Sequence, residues 1–129
     1  KVRSPRNLAT VGNRFVAVDV YVDAGDRKLA AWQAEIDTDD RASTVGGEGG
    51  EPAAYRDPPT FDPEALQGGK IVLAAFTTGD APSGKVRVAR LHLMESAKFD
   101  LQGKLVAAAA PGGERFDAKL SFERRGDDR

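Results

Sequence analysis

The stretch "FVAVDVYVDAGDRKLAAWQAEID", residues 15–37, decides the fold, because apolar side chains recur at every second position in both of its halves. In the first half every second residue is a valine, from Val16 to Val22. In the second half apolar residues recur at the same spacing: Trp32, Ala34 and Ile36. A period of two is typical of a strand with one buried face, and "DAGD" at 23–26 has the residues of a tight turn. We therefore predict two adjacent strands, with the valines and Trp32 in the core.

Four stretches farther along the chain also have strand patterns: "KIVLAAFTT" (70–78), "KVRVARLHLM" (85–94), "KFDLQGKLVAAAA" (98–110) and "RFDAKLSFE" (115–123). In the second of these the apolar phase slips by one residue at Ala89 and Arg90. Because such a slip turns every following side chain to the other face, we predict a β-bulge there. Turns lie between the strands and no long amphipathic helix is present. The pattern predicts an all-β, antiparallel β-sandwich of about 8–9 strands.

The segment 38–69 interrupts this regularity. It holds six of the fourteen glycines, and prolines stand at 52, 58, 59 and 63. Proline donates no hydrogen bond to a sheet, so a core strand is not expected here. Within the segment, 63–66 could form one helical turn with Asp62 as its N-cap. We predict one long loop, rich in glycine and proline.

Composition limits the class of protein. The 129 residues predict a single domain spanning 1–129, and the net charge of −1 argues against a nucleic-acid binder. There is no cysteine, which excludes disulfides and thiolate chemistry. The sequence contains no run of the ~20 apolar residues that a membrane span needs. The chain begins at Lys1 rather than Met, and we expect the processed or excised part of a longer protein.

Few residues suggest catalysis or metal binding. His92 is the single histidine and lies in mid-strand, where we expect an ordinary outward residue. A small hydrolase would need His92 as its base or a pair of convergent carboxylates, and we expect no enzyme. Three carboxylates, Asp37, Asp39 and Asp40, are the candidates for a calcium site, and no other cofactor is expected. The motif spacing of an EF-hand is missing from this stretch.

Two parts of the sequence resemble cohesin-type domains, β-sandwich modules related to some carbohydrate-binding modules. "VGNRFVAVDVYVDAGDRKLAAWQAEIDTDD" (11–40) resembles the opening pair of strands in that family, and "GKIVLAAFTTGDAPSGKVRVARLHLM" (69–94) resembles a later pair. The similarity covers 11–50 and 69–123. It implies jelly-roll topology and a non-catalytic module that binds a protein partner of the dockerin type. It also implies a bacterial protein that is secreted or on the cell surface. The alternative is a carbohydrate-binding module of a cell-surface or secreted protein.

Each function has its own candidate residues. For a protein partner we expect contact through one outward sheet face, formed by Asp19, Tyr21, Gln33 and Glu35. For a polysaccharide we expect exposed rings, because sugars stack on aromatic faces. The aromatic candidates are Tyr21, Tyr55 and Phe61.

Overall fold

A computed structural model describes residues 14–37, 42–57, 59–61, 70–95 and 101–125. These residues form eight strands and one short 3₁₀ turn, Ala53–Tyr55. The strands are β1 Arg14–Asp23, β2 Ala31–Asp37, β3 Ala42–Gly49, β4 Thr60–Phe61, β5 Lys70–Phe76, β6 Lys85–Glu95, β7 Gln102–Ala109 and β8 Lys119–Arg124. Within the described ranges, no helix has the length and hydropathy that crossing a membrane requires. The prediction of an all-β fold is confirmed.

The strands form two antiparallel sheets. The first sheet has the order β3-β6-β1-β8, and the second sheet has the order β4-β5-β2-β7. Strands β1 and β2, although consecutive in the chain, belong to different sheets. The segment 24–30 is therefore a crossover between the sheets, and the two strands predicted at 15–37 are not paired neighbours but belong to opposite sheets.

The core lies between the sheets and is built from the predicted alternation. The valines at 16, 18, 20 and 22 of β1 are buried, as are Trp32, Ala34 and Ile36 of β2. The opposing walls are completed by buried residues of the neighbouring strands: Ile71, Leu73, Val86, Val88, Leu91 and Leu93. Fully burying one such side chain contributes about 1.5–3 kcal/mol. The prediction that Trp32 and the valines lie in the core is confirmed.

The predicted β-bulge is present in β6. Val20 pairs with Ala89 but Tyr21 pairs with Arg87, so Val88 has no partner on β1. Val88 and Ala89 are consecutive and both belong to the buried core cluster, as expected where the strand gains a residue. The same extra residue brings Arg87 and Arg90 to the outer face together. In a regular strand, residues three apart point to opposite faces.

The prediction of one long irregular loop at 38–69 is wrong for part of the segment. Residues 42–49 form β3, an edge strand hydrogen-bonded to β6, and the two-residue strand β4 pairs with β5. Backbone groups make these bonds, so β3 forms although its glycines give no apolar alternation to recognise. The helical turn predicted at 63–66 lies outside the described residues.

The glycines that end β3 are packed against neighbouring backbone. A Cβ added to Gly50 would lie 1.9 Å from the carbonyl oxygen of Arg87, and one added to Gly49 would lie 1.9 Å from that of Arg56. Gly46, in the same strand, has nothing within 4 Å of the corresponding position. In the stretch "GGEGG" at 46–50, the last two glycines therefore lie against neighbouring backbone, whereas Gly46 has open space beside it.

We expect Gly50→Ala to destabilise the protein by about 1–3 kcal/mol, because the new methyl group must displace the backbone of β6. Urea unfolding followed by circular dichroism measures this. The matched control, Gly46→Ala, adds the same methyl group in open space and should change the free energy of unfolding by less than about 0.5 kcal/mol. Equal stability of the two variants would contradict the close contact.

Candidate functional site

The outer face of the first sheet carries a buried carboxylate under three arginines. Asp19 is 1% exposed and is the one buried charged residue in the described part of the chain. Arg90 donates to it through Nε at 2.6 Å and more weakly through a terminal nitrogen at 3.4 Å. Arg125 reaches its other oxygen at 3.5 Å, and Arg87 approaches at 3.8 Å. We call Asp19, Arg87, Arg90 and Arg125 the Asp19 cluster.

The backbone explains why these four residues meet. Asp19 alternates with the inward valines of β1 and lies directly opposite Arg90. Arg87 arrives on the same face because of the bulge, and Arg125 follows β8, where its N–H donates to the carbonyl of Ala17. The three side chains cover Asp19 and remain partly exposed themselves. The carboxylate therefore lies beneath a layer of guanidinium groups.

Two exposed ion pairs flank the Asp19 cluster. On one side, Glu48 and Nε2 of His92 are hydrogen-bonded at 2.5 Å. This bond, together with the nearby arginines, lowers the pKa of Glu48. On the other side, Lys85 binds Glu123 at 2.9 Å, and its ammonium group lies 4.6 Å from the centre of the Tyr21 ring. The two flanking carboxylates, Glu48 and Glu123, therefore each have a hydrogen-bond partner outside the Asp19 cluster.

The outer face of the second sheet is chemically different. Cross-strand pairing puts Ala109, Ala31 and Phe76 in one row, and Ala107, Gln33 and Ala74 in the next. An open trough of about 480 Å³ lies over these residues, with Arg115 also in its lining. Phe76 is 75% exposed. Half of this face is thus formed mainly by small apolar side chains, with the exposed ring of Phe76 beside them.

The other half of the same face is polar. Glu35 lies opposite Lys104, and Asp37 lies opposite Gln102. Glu35 is half-buried and the other three residues are exposed. A charged region therefore adjoins the apolar trough on one side.

The residues predicted to form one protein-binding face lie on two faces. Asp19 and Tyr21 belong to the first sheet, whereas Gln33 and Glu35 belong to the second. The expectation of a single contact face is wrong because 24–30 crosses between the sheets. Asp19 is also not exposed as expected, since the three arginines cover it.

The aromatic candidates for a polysaccharide do not form a platform in the described structure. Tyr55 is 2% exposed, and its hydroxyl donates to the carbonyl of Leu29 at 2.7 Å. The expectation that Tyr55 is exposed is therefore wrong, because the 3₁₀ turn carries its ring into the core. Tyr21 is half-buried next to Lys85. The side chain of Phe61 lies outside the described residues.

The calcium and enzyme predictions remain untested. Asp37 is exposed at the end of β2, while Asp39 and Asp40 lie outside the described ranges. Among the residues that the structure does describe, no three acidic or histidine side chains converge as metal ligands would. His92 points outward from its strand, as predicted, and its partner there is Glu48.

No family model, no curated protein and no solved structure matches this chain.

The sequence reasoning missed the Asp19 cluster, whose members are as far as 106 residues apart. One signal was present: Asp19 is the only charged residue among the outward positions 15, 17, 19 and 21 of β1. A charge at the centre of such a strand calls for a nearby counter-charge.

We expect Asp19→Asn to destabilise the protein by about 2–3 kcal/mol, because three guanidiniums lose the one carboxylate that holds them together. The free energy of urea unfolding at pH 7 measures the loss. Glu123→Gln is the control on the same face. It removes an exposed ion pair and should cost less than about 1 kcal/mol. Equal losses in the two variants would show that the Asp19 cluster does not stabilise the fold.

We expect Tyr55→Phe to cost about 1–2 kcal/mol below pH 9, because the carbonyl of Leu29 loses a buried donor. Burial also raises the pKa of Tyr55 to about 12. In the unfolded chain the tyrosine hydroxyl has a pKa of about 10. The contribution of Tyr55 to the free energy of unfolding is therefore complete below pH 10 and is lost as the pH rises towards 12.

The difference in stability between wild type and Tyr55→Phe should therefore shrink between pH 10 and pH 12. Denaturant unfolding at several pH values measures it. A difference that stays constant over this range would contradict the buried phenol. Tyr21→Phe serves as the control and should change stability by less than about 0.5 kcal/mol at pH 7.

Proposed function

We propose that this domain is a non-catalytic binding module that docks a protein partner on the outer face of the second sheet. The observation that carries the proposal is the apolar trough beside Phe76, whose ring is 75% exposed. An apolar centre with a polar rim is the usual anatomy of a protein–protein interface. Here Arg115, Glu35 and Lys104 provide that rim.

The floor of the trough favours a protein ligand. The four alanines in the two outer rows, at 31, 74, 107 and 109, leave room for a partner's side chains or backbone to approach the sheet closely. Gln33 lies among them and offers both a donor and an acceptor, which can fix the orientation of the partner. Phe76 is the type of side chain that anchors an interface by filling a pocket on the other protein. Of the predicted contact residues, Gln33 and Glu35 belong to this surface.

The cohesin-like identity and the jelly-roll topology are part of this proposal. Both are supported by the nested pairing of the strands: β1 pairs with β8, β2 with β7, β3 with β6 and β4 with β5. Nested pairing arises when a long antiparallel hairpin is wound into two sheets, as in a jelly roll. Each sheet contains two of these pairs side by side, joined here between β6 and β1 in the first sheet and between β5 and β2 in the second. In the usual jelly roll, the first sheet is instead joined between its eighth and third strands. The dockerin-type partner and the secreted or cell-surface location follow from the resemblance alone.

The carbohydrate alternative has less support. Of its three aromatic residues, Tyr55 is in the core and Tyr21 is half-buried. Phe76 is one exposed ring on the second sheet, and a single ring is a small stacking surface for a polysaccharide.

Binding by variants of the trough tests the proposal. The domain is immobilised, an extract of its source organism is passed over it with calcium or with chelator, and retained proteins are identified by mass spectrometry. Each retained protein is then purified, and its affinity for the domain is measured by calorimetry. We expect Ala74→Arg and Phe76→Ser each to weaken the affinity at least about tenfold, which corresponds to 1.4 kcal/mol.

Ser121→Arg is the control, because Ser121 is exposed on the opposite face, in β8 of the first sheet. It should leave the affinity unchanged. If the trough variants bind as wild type does, or if nothing is retained in either condition, the docking proposal fails. Retention on an insoluble polysaccharide that is lost in Tyr21→Ala would favour the carbohydrate alternative instead.

A further inference from the structure

We infer that the Asp19 cluster is a binding site for a small oxyanion of the sulfate or phosphate class. The first argument is charge. Arginine side chains are always charged in proteins, so three of them around one carboxylate leave two positive charges without a partner inside the cluster. Among the described residues near the cluster, Glu123 is paired with Lys85, whereas Glu48 is hydrogen-bonded to His92 and also attracts Arg90 and Arg87. Counting Glu48 with Asp19, the three arginines still carry one positive charge more than the carboxylates beside them.

The second argument is the supply of hydrogen-bond donors. Each guanidinium has five N–H donors, and a carboxylate accepts about four hydrogen bonds. Arg90 makes the one short contact with Asp19, whereas Arg125 and Arg87 stay at 3.5 and 3.8 Å. The Nε of Arg87 is buried and has no partner. The cluster therefore holds more donors than Asp19 can use.

The third argument is geometry. Asp19, the bulge in β6 and the backbone bond from Arg125 to Ala17 hold the guanidiniums close together before any ligand arrives. Arg125 and its neighbours remain partly open to solvent above Asp19. Planar guanidinium forks pair well with the oxygens of sulfate and phosphate. An oxyanion lying on this layer would contact two or three arginines at once, and Asp19 lies beneath them.

This inference does not depend on the proposed function, because the two surfaces lie on opposite sheets. The site is tested on the folded domain by recording the arginine Nε–Hε signals in nitrogen-15 NMR spectra. Sodium sulfate or sodium phosphate is titrated in, and sodium chloride keeps the ionic strength constant. We expect saturable shifts of the Arg87 and Arg125 signals, with half-saturation in the millimolar range, about 1–10 mM.

Variants and ligand analogues complete the test. Arg87→Gln and Arg125→Gln should each weaken sulfate binding at least about fivefold. Arg27→Gln, which removes an arginine paired with Glu114 elsewhere on the surface, should not weaken it. Methyl sulfate distinguishes a free ion from an esterified group, since equal affinity means that the site accepts a sulfate attached to a larger molecule. Acetate tests whether a carboxylate suffices.

Shifts that grow linearly with salt, or that saturate at arginines outside the cluster, would overturn the inference. Wild-type spectra are sufficient for this decision, so it does not depend on the folding of the variants. Loss of partner binding in Ala74→Arg with intact sulfate binding separates this site from the proposed docking face.

Discussion

Strand β1 must satisfy two opposite demands, and the rest of the structure depends on how it does so. One of its faces buries four valines, and the other holds a carboxylate at the centre of a sheet. Because β1 is paired on both sides, with β6 and β8, side chains from both directions lie over Asp19 and exclude water from it. Its charge is tolerated only because arginines from both neighbouring strands cover it.

The bulge in β6 connects these two demands. Without the extra residue, Arg87 and Arg90 would point to opposite faces of the sheet, and so would Val88 and Leu91. Neither the pair of arginines nor the apolar row would then be complete. With it, Val88 and Ala89 are both buried while Arg87 and Arg90 face outward. A local irregularity of one residue thus serves the core and the charged face at once. This agrees with the general tendency of bulges to redirect side chains.

The sequence was a good guide wherever side chains alternate. The strands at 14–23, 31–37 and 119–124 and the phase slip near Ala89 were all predictable, since each depends on local periodicity. Strand β3 was not, because glycines leave no pattern for a strand whose bonds come from its backbone. Nor was the Asp19 cluster, whose members meet only through sheet order. The burial of Tyr55 likewise depends on the carbonyl of Leu29, 26 residues away in the chain.

The placement of strands β1 and β8 determines how this sheet would respond to mechanical load. Arg14 begins β1, and Arg125 follows β8 beside Ala17, so the start of β1 and the end of β8 lie at the same side of the first sheet. Tension applied through the chain on both sides would peel β8 away from β1 like a zipper, one pair of hydrogen bonds at a time. It would not shear the whole strand at once. Because Arg125 is at the start of that zipper, its contact with Asp19 would be among the first to open under load.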